Sequence, residues 1–340
     1  MPRAIESISR ASRSHEHHVL WPALNEVNSG TEFTSVSNLP AGHLSRMKAV
    51  KEAVERIAPD VVHAHSSFAG LYSRAQKLSV PVVYEPHCYK FEDLSGSRIS
   101  RLVYRLAERA LGFRTNAVVF LSPHEGILAQ KLSPRASRHF VPNVPTIFPP
   151  ATDATASGCR NNHPLTEVAM IGRLSAQKDP DYFAQVASLV RTVNPQVRFT
   201  WIGGGDDARV AQMESQGIRV TGWLDEAALI GELQRPWVYF HSARYEGFPL
   251  SVLDAAAFGH PIVARRIPAF EGTDLVQVDQ PLQAMGELLT VLAGGSTPSA
   301  ATRGGDHLLI TMNSERQRES LGALYGEYST HAQAPQREVS

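Results

Sequence analysis

The chain has 340 residues, enough for two ordinary domains, and its 43% hydrophobic and 19% charged residues supply material for two cores. Thirty-three Lys and Arg balance thirty-three Asp and Glu, so no bulk field draws nucleic acid and none is expected as a partner. Two distant cysteines, Cys88 and Cys159, exclude a disulfide framework and match no metal spacing. No apolar run approaches the ~20 residues of a membrane span. The opening residues lack the apolar core of a signal peptide. A cytoplasmic protein is the expectation.

In chain order, a short helix is predicted over 4–13 and strands over 18–21 and 33–36. Met47, Val50, Val54 and Ile57 fall at helical spacing and predict a helix over 44–57, ended by Pro59. Residues 60–78 read as buried strand, loop and helix. Strands follow at 80–84, ending in Glu85-Pro86-His87, at 117–121, and at 139–141. Residues 145–163, rich in Pro, Thr, Ala and Ser, read as a linker. A second alternating series has strands at 168–171, 198–202, 218–220, 237–240, 261–264 and 275–278, with a helix over 181–194. Residues 294–305 read as loop, 314–328 as a closing helix, and 331–340 as a disordered tail. Strand alternating with helix in both halves predicts two doubly wound α/β domains with a ligand cleft between them.

The second half centres on residues 239–264, YFHSARYEGFPLSVLDAAAFGHPIVA. An apolar strand breaks at His241, and a turn carries Glu246 and Gly247. Pro249 sits in a first helical turn, where its missing N–H is no loss. A helix runs to Phe258 and Gly259 stops it. Ligands of open parallel sheets sit at strand carboxyl ends, which is where Glu246 falls. The N–H groups of Gly247, Phe248 and Leu250 open a helix able to hold an anion. Asp254 lies about two helical turns beyond Glu246, so the two acids can grip two ends of one extended ligand. On the acids alone, a loop carboxylate and a solvated helix carboxylate explain the pattern equally well.

EGFPLSVLD resembles the E-x7-E signature of the retaining glycosyltransferases of family 4, which have the GT-B fold: two Rossmann-like domains facing a central cleft. The resemblance implies that Glu246 meets the donor sugar and that Asp254, an Asp in place of the second Glu, holds the nucleotide ribose. Gly172-Arg173-Leu174 with Lys178 is similar to the family's G-R-L…K loop. That likeness implies two cations on the donor diphosphate, a fork and a point charge. Gly203-Gly204-Gly205 matches a glycine-rich loop lining the donor site, with Gly204 at its centre. Trp223, in Thr221-Gly222-Trp223-Leu224, matches a segment meeting the base, and is equally compatible with a core position.

His65, ending the strand in DVVHAHSSFAGL, matches a histidine that faces the donor sugar. His87 matches the family's T-P-H turn, and His63 reads as a packed strand histidine. None of these histidines has metal-ligand spacing with a partner. The family works without a catalytic metal, so no metal and no permanently bound cofactor are expected. The donor is a nucleoside-diphosphate sugar of UDP or GDP type, and the acceptor a glycan or lipid-linked hydroxyl. Arg98, Arg101, Arg105 and Arg109 share one helix face, and Ile99, Leu102, Val103, Leu106 and Ala110 form its apolar side. Such a helix either lies on the inner face of an anionic membrane or is half-buried with a wet arginine face.

The implied domains are an acceptor-side domain over 1–144, a linker over 145–163, a donor domain over 164–312, and a helix over 313–330 packing back on the first domain. The first strand and glycine-rich loop of the family are not recognisable ahead of residue 18. The expected activity is hexosyl transfer with retention in cell-surface glycan synthesis. Two alternatives stay open: a degenerate, non-catalytic nucleotide-sugar binder, and a GT-B nucleotide-sugar epimerase.

Overall fold

The computed structural model describes residues 2–22, 32–150, 165–294 and 299–329. They form two compact units. One holds the described residues up to Glu92, from Ser97 to Pro142 and from Ser314 onwards; the other holds Asp93–Gly96 and the described residues from Asn143 to Asn313.

In the first unit β1 (His18–Trp21) and β2 (Ser35–Asn38) pair with each other in a two-stranded parallel sheet. β3 (Val62–His65), β4 (Val82–Glu85), β5 (Ala117–Phe120) and β6 (Ser137–Phe140) form a second parallel sheet in sequence order. All four residues of β4 are buried, as expected of a parallel strand covered on both faces. The helix Ser314–Gly326 joins this unit: Leu321, Leu324 and Tyr325 pack with Ile8, Val83, Val119 and Val141, and Gln317 donates to the Pro142 carbonyl at 3.0 Å.

The second unit has one parallel sheet of six strands: β7 (Glu167–Ile171), β8 (Arg198–Ile202), β9 (Arg219–Val220), β10 (Val238–His241), β11 (Ile262–Arg265) and β12 (Val276–Val278). Their order is β12-β11-β10-β7-β8-β9. Succession runs outward in both directions from the β7–β10 boundary. That boundary is the topological switch point at which ligands of open α/β sheets bind. β7 and β10 are buried throughout, and each large apolar side chain so buried contributes about 1.5–3 kcal/mol.

Two local expectations are corrected, and one open alternative is narrowed. Residues 300–311 are a helix, not a loop. Gly304 and Gly305 read as breakers, yet they let the helix lie close: a Cβ on Gly304 would meet the Asp274 carbonyl oxygen at 2.6 Å. The linker does not begin at 145, because Val144 and Ile147 are buried and Asn143 donates to the Phe248 carbonyl at 2.8 Å. Its remainder, like the tail, lies outside the described residues. The helix Arg98–Leu111 turns its apolar side outward. Ile99 is 77% exposed, and Leu102, Val103 and Leu106 are 57–58% exposed. Glu108 is its buried residue.

Candidate active site

The loop after β7 carries Arg173 and Lys178, the loop after β8 carries Gly203–Gly205, and the loop after β10 carries Glu246. Because β10, β7 and β8 are neighbours, residues far apart in sequence converge at one sheet edge. The Lys178 ammonium meets Glu246 Oε1 at 2.5 Å, with 15% and 10% of the side chains exposed. Gln177 donates to the other Glu246 oxygen and to the Tyr245 carbonyl, both at 3.1 Å. Glu246 is thus a fixed, half-buried carboxylate rather than a wet loop acid.

Asp179, which sequence reasoning passed over, holds the two loops together. It is the N-cap of the helix Pro180–Val193 in a left-handed conformation. Its carboxylate accepts from Arg244 at 2.6 and 3.1 Å and from Arg265 at 2.6 Å. Burial raises the Asp179 pKa, but the two guanidinium groups outweigh it and the net shift is downward. Backbone bonds add to the clamp: Arg244 N–H donates to the Gln177 carbonyl at 2.8 Å, and the Ser242 hydroxyl to the Lys178 carbonyl at 2.7 Å. Sequence alone offered one signal for Asp179, an Asp directly before Pro at a helix start.

His241 ends β10 fully buried, with Nε2 3.9 Å from Glu246 Oε1 and Nδ1 3.2 Å from the Tyr239 hydroxyl. Tyr239 donates to Ser251 at 2.9 Å. Burial first, and then the Lys178 charge, hold the imidazole well below its usual pKa, so it is neutral at pH 7. Its Nε2 has no hydrogen-bond partner and faces the Lys178–Glu246 pair.

The glycine loop packs against the arginine loop. Gly203 has φ +136°, and a Cβ there would meet the Gly172 carbonyl oxygen at 2.2 Å, so no larger residue fits. Gly204 lies beside Trp223, whose ring is 67% exposed and has the Arg173 guanidinium 5.7 Å from its centroid. Trp223 is a surface aromatic and not a core residue.

The helix Leu250–Ala257 begins one residue after Pro249, which is its N-cap, without a side-chain hydrogen bond. Gly259, in the left-handed region at φ +76°, ends it. Phe248 is buried edge-on against Phe270, so only its backbone is available beside those of Gly247 and Leu250. Asp254 is also buried, 2% exposed; its Oδ1 accepts from the Thr146 and Ile147 N–H groups at 2.7 and 3.2 Å. The acid expected on a ribose therefore anchors the 143–147 segment in this conformation.

In the first unit, His63 and His65 of β3 and Glu85 of β4 come together with His87. His65 pairs with Glu85 in the parallel register, and its Nδ1 lies 3.2 Å from Glu85 and 3.0 Å from His87 Nε2. His63 Nε2 is 3.2 Å from Glu85, and His63 Nδ1 is 2.9 Å from the Tyr325 hydroxyl. Burial lowers the pKa values of His63 and His87 to about 4. Burial raises that of Glu85, but the His87 and His65 rings reverse it, and the carboxyl lies well below its usual range. Glu85 was legible only as the last residue before a turn, and the absence of metal spacing along the sequence did not reveal this cross-strand group.

Residues 166–293 match the family described as glycosyl transferases group 1, and residues 9–144 the glycosyl transferase 4-like domain. A UDP-Gal:alpha-D-GlcNAc-diphosphoundecaprenol alpha-1,3-galactosyltransferase of Escherichia coli is 27% identical over 231 residues, 61% of this chain and 58% of that protein. The chain spans about three fifths of the length of the curated relatives it matches. A sucrose-phosphate synthase from Thermosynechococcus elongatus superposes with a TM-score of 0.77 at 17% identity, covering 95% of this chain and 91% of that one. Anabaena HepE in complex with UDP and glucose superposes at 0.73 with 14% identity, covering 96% and 95%. These structures share the fold. The chain has the GT-B fold, and each of its halves matches a glycosyl transferase domain family.

Proposed function

We propose that the protein transfers a hexose from a UDP-sugar to a hydroxyl of a lipid-linked glycan, with retention at the anomeric carbon. The Lys178–Glu246 pair at the switch point carries this proposal. An opposite pair held between two strand ends opens to receive a ligand with an anionic and a hydroxylated end. Lys178 and Arg173 take the diphosphate and stabilise the charge that grows on it as the glycosidic bond breaks. Glu246 accepts hydrogen bonds from sugar hydroxyls, and the backbone N–H groups of Gly247 and Leu250 add positive potential at a helix start. Gly204 and Trp223 line the nucleotide end. Asp254 serves the site through the 143–147 segment, and a ribose contact by Asp254 requires that its bond to Thr146 be exchanged.

Retention follows if the acceptor hydroxyl attacks from the face the diphosphate leaves. The departing phosphate oxygen then accepts the hydroxyl proton, and no separate protein base is needed. The relative named for a UDP-galactose donor and a diphosphoundecaprenol-linked acceptor supports this choice of substrates, as do the UDP complexes of a structural neighbour. The test is incubation of the full chain with UDP-hexoses and a polyprenyl-diphosphate-linked sugar, with the anomeric configuration of the product read by NMR. A product of inverted configuration contradicts retention, UDP binding without transfer favours the non-catalytic alternative, and an altered UDP-sugar favours the epimerase.

A lipid-linked acceptor places the enzyme at a membrane surface, and the outward apolar side of Arg98–Leu111 favours that setting. Ile99, Leu102, Val103 and Leu106 form its exposed ridge, with Arg98, Arg101, Arg105 and Arg109 along one flank. An amphipathic helix with this arrangement lies in the interface of an anionic bilayer.

A further inference from the structure

We infer that His63, His65 and Glu85 form a binding site for one divalent first-row transition ion of the zinc class. One ligand atom from each of His63, His65 and Glu85 lies within 4.8 Å of the others. The closest approaches match what a shared ion imposes. A zinc ion about 2.0–2.1 Å from each ligand of a tetrahedron holds them about 3.3–3.4 Å apart. Here Glu85 Oε2 lies 3.2 Å from His63 Nε2 and 3.2 Å from His65 Nδ1.

Two further observations point to a ligand. His63 Nε2 and Glu85 Oε2 are buried and have no hydrogen-bond partner, although they face each other. Such orphaned atoms are costly inside a protein, and a cation satisfies both. The Glu85 side chain is only 1% exposed, and a buried carboxylate among imidazoles lacks a permanent cation to compensate it. The outer partners also suit coordination. The Tyr325 hydroxyl lies on His63 Nδ1 at 2.9 Å. With that hydroxyl accepting from Nδ1–H, Nε2 is left free to ligate, the arrangement that outer partners of metal-bound histidines commonly impose. His87, held at φ +50°, borders the site with Nε2 3.4 Å from Glu85 Oε1 and 3.0 Å from His65 Nδ1. Two imidazoles and one carboxylate suit zinc, cobalt or iron(II) far better than magnesium or calcium.

This site does not depend on the donor-site proposal, since every ligand belongs to the first unit. The test is a titration of chelator-treated full-length protein with Co²⁺, followed by displacement with Zn²⁺. The expected result is one equivalent bound, with the visible absorption of a low-symmetry cobalt centre that zinc abolishes, and a thermal unfolding temperature raised by zinc. Glu85→Gln and His63→Ala each weaken cobalt binding at least tenfold. Changing the exposed His18 and His307 to Ala leaves it unaltered. Retained circular dichroism, and UDP affinity where the parent binds UDP, separate loss of the site from loss of the fold. Absence of stoichiometric binding by the parent protein overturns the assignment, and so does unchanged binding by the Glu85 and His63 variants.

Discussion

Lys178 and Glu246 are the residues on which the proposed donor site turns, and their proposed roles differ enough to be separated. Lys178→Ala removes a cation proposed for the diphosphate in ground and transition states alike. UDP affinity and kcat should both fall, kcat by about 10²–10³-fold, or about 2.7–4 kcal/mol. Glu246→Gln keeps the shape and removes the charge from the sugar end. It should lower kcat by a similar factor while leaving UDP affinity within a few-fold, as isothermal titration beside steady-state kinetics would reveal. Equal loss of UDP affinity in both variants would contradict the division of labour. Glu125 permits a test of stability at the same scale. It is fully buried, accepting from the Cys88 and Leu121 N–H groups at 2.7 and 2.9 Å, and burial raises its pKa to about 7 against 4.5. The native state therefore holds a proton that the unfolded chain releases. The resulting stabilisation is present below pH 4.5 and is lost as pH rises through 7, about 3 kcal/mol in all. Denaturant unfolding at pH 5 and pH 8 should show the stability gap between the parent and Glu125→Gln shifting by about that amount. A gap independent of pH would refute the buried-acid account.

At the scale of elements, the helix Arg98–Leu111 is anchored by a buried ion pair beside the packing of Tyr104 on Tyr84, Tyr89 and Phe91. Arg74, fully buried, donates to Glu108 at 2.8 Å and stacks 3.6 Å over the Tyr84 ring, whose hydroxyl donates to Glu108 at 2.9 Å. Removing one member leaves a buried charge uncompensated, at a cost of about 3–5 kcal/mol. Glu108→Ala should lower the denaturation free energy by that amount; a loss below 1 kcal/mol would mean that the pair is not what anchors the helix. The opposite side predicts a surface property. Leu102→Ser with Leu106→Ser should leave unfolding nearly unchanged and reduce co-sedimentation with phosphatidylglycerol vesicles several-fold. Binding unaffected by this double change would remove the membrane role. Sequence periodicity marked this helix and its two stripes, but which stripe faces inward depends on Arg74 and Tyr84, dozens of residues away, and no local pattern carries that. The helix Ala300–Thr311 was hidden for a related reason. Gly304 and Gly305 weaken a helix on its own, and only the Asp274 carbonyl beneath Gly304 and the Ile262 and Ala256 side chains against Gly305 explain why glycine stands there.

For the molecule as a whole, the α/β class and the GT-B architecture were legible because parallel strands are written as short apolar runs, each followed by turn residues and a helix. The residues of the proposed donor site could be named for the same reason. Arg173, Lys178 and Glu246 all follow buried strands, and the sheet order brings those strand ends together. What sequence did not disclose was cross-strand and inter-loop bonding. Asp179 binds two arginines from the loop after β10 and the end of β11, Asp254 is engaged by Thr146, and Glu85 collects histidines from its own turn and from β3. Each of these contacts joins segments separated by a crossover, where spacing along the chain says nothing about distance. The measurement that tests the central claim most directly is calorimetric titration of the full chain with UDP, GDP and ADP, repeated on Lys178→Ala. Saturable binding of UDP in preference to the other two, weakened at least tenfold by the substitution, is the predicted result. Absence of nucleotide binding, or UDP binding indifferent to Lys178, would contradict a donor site at the β7–β10 switch point.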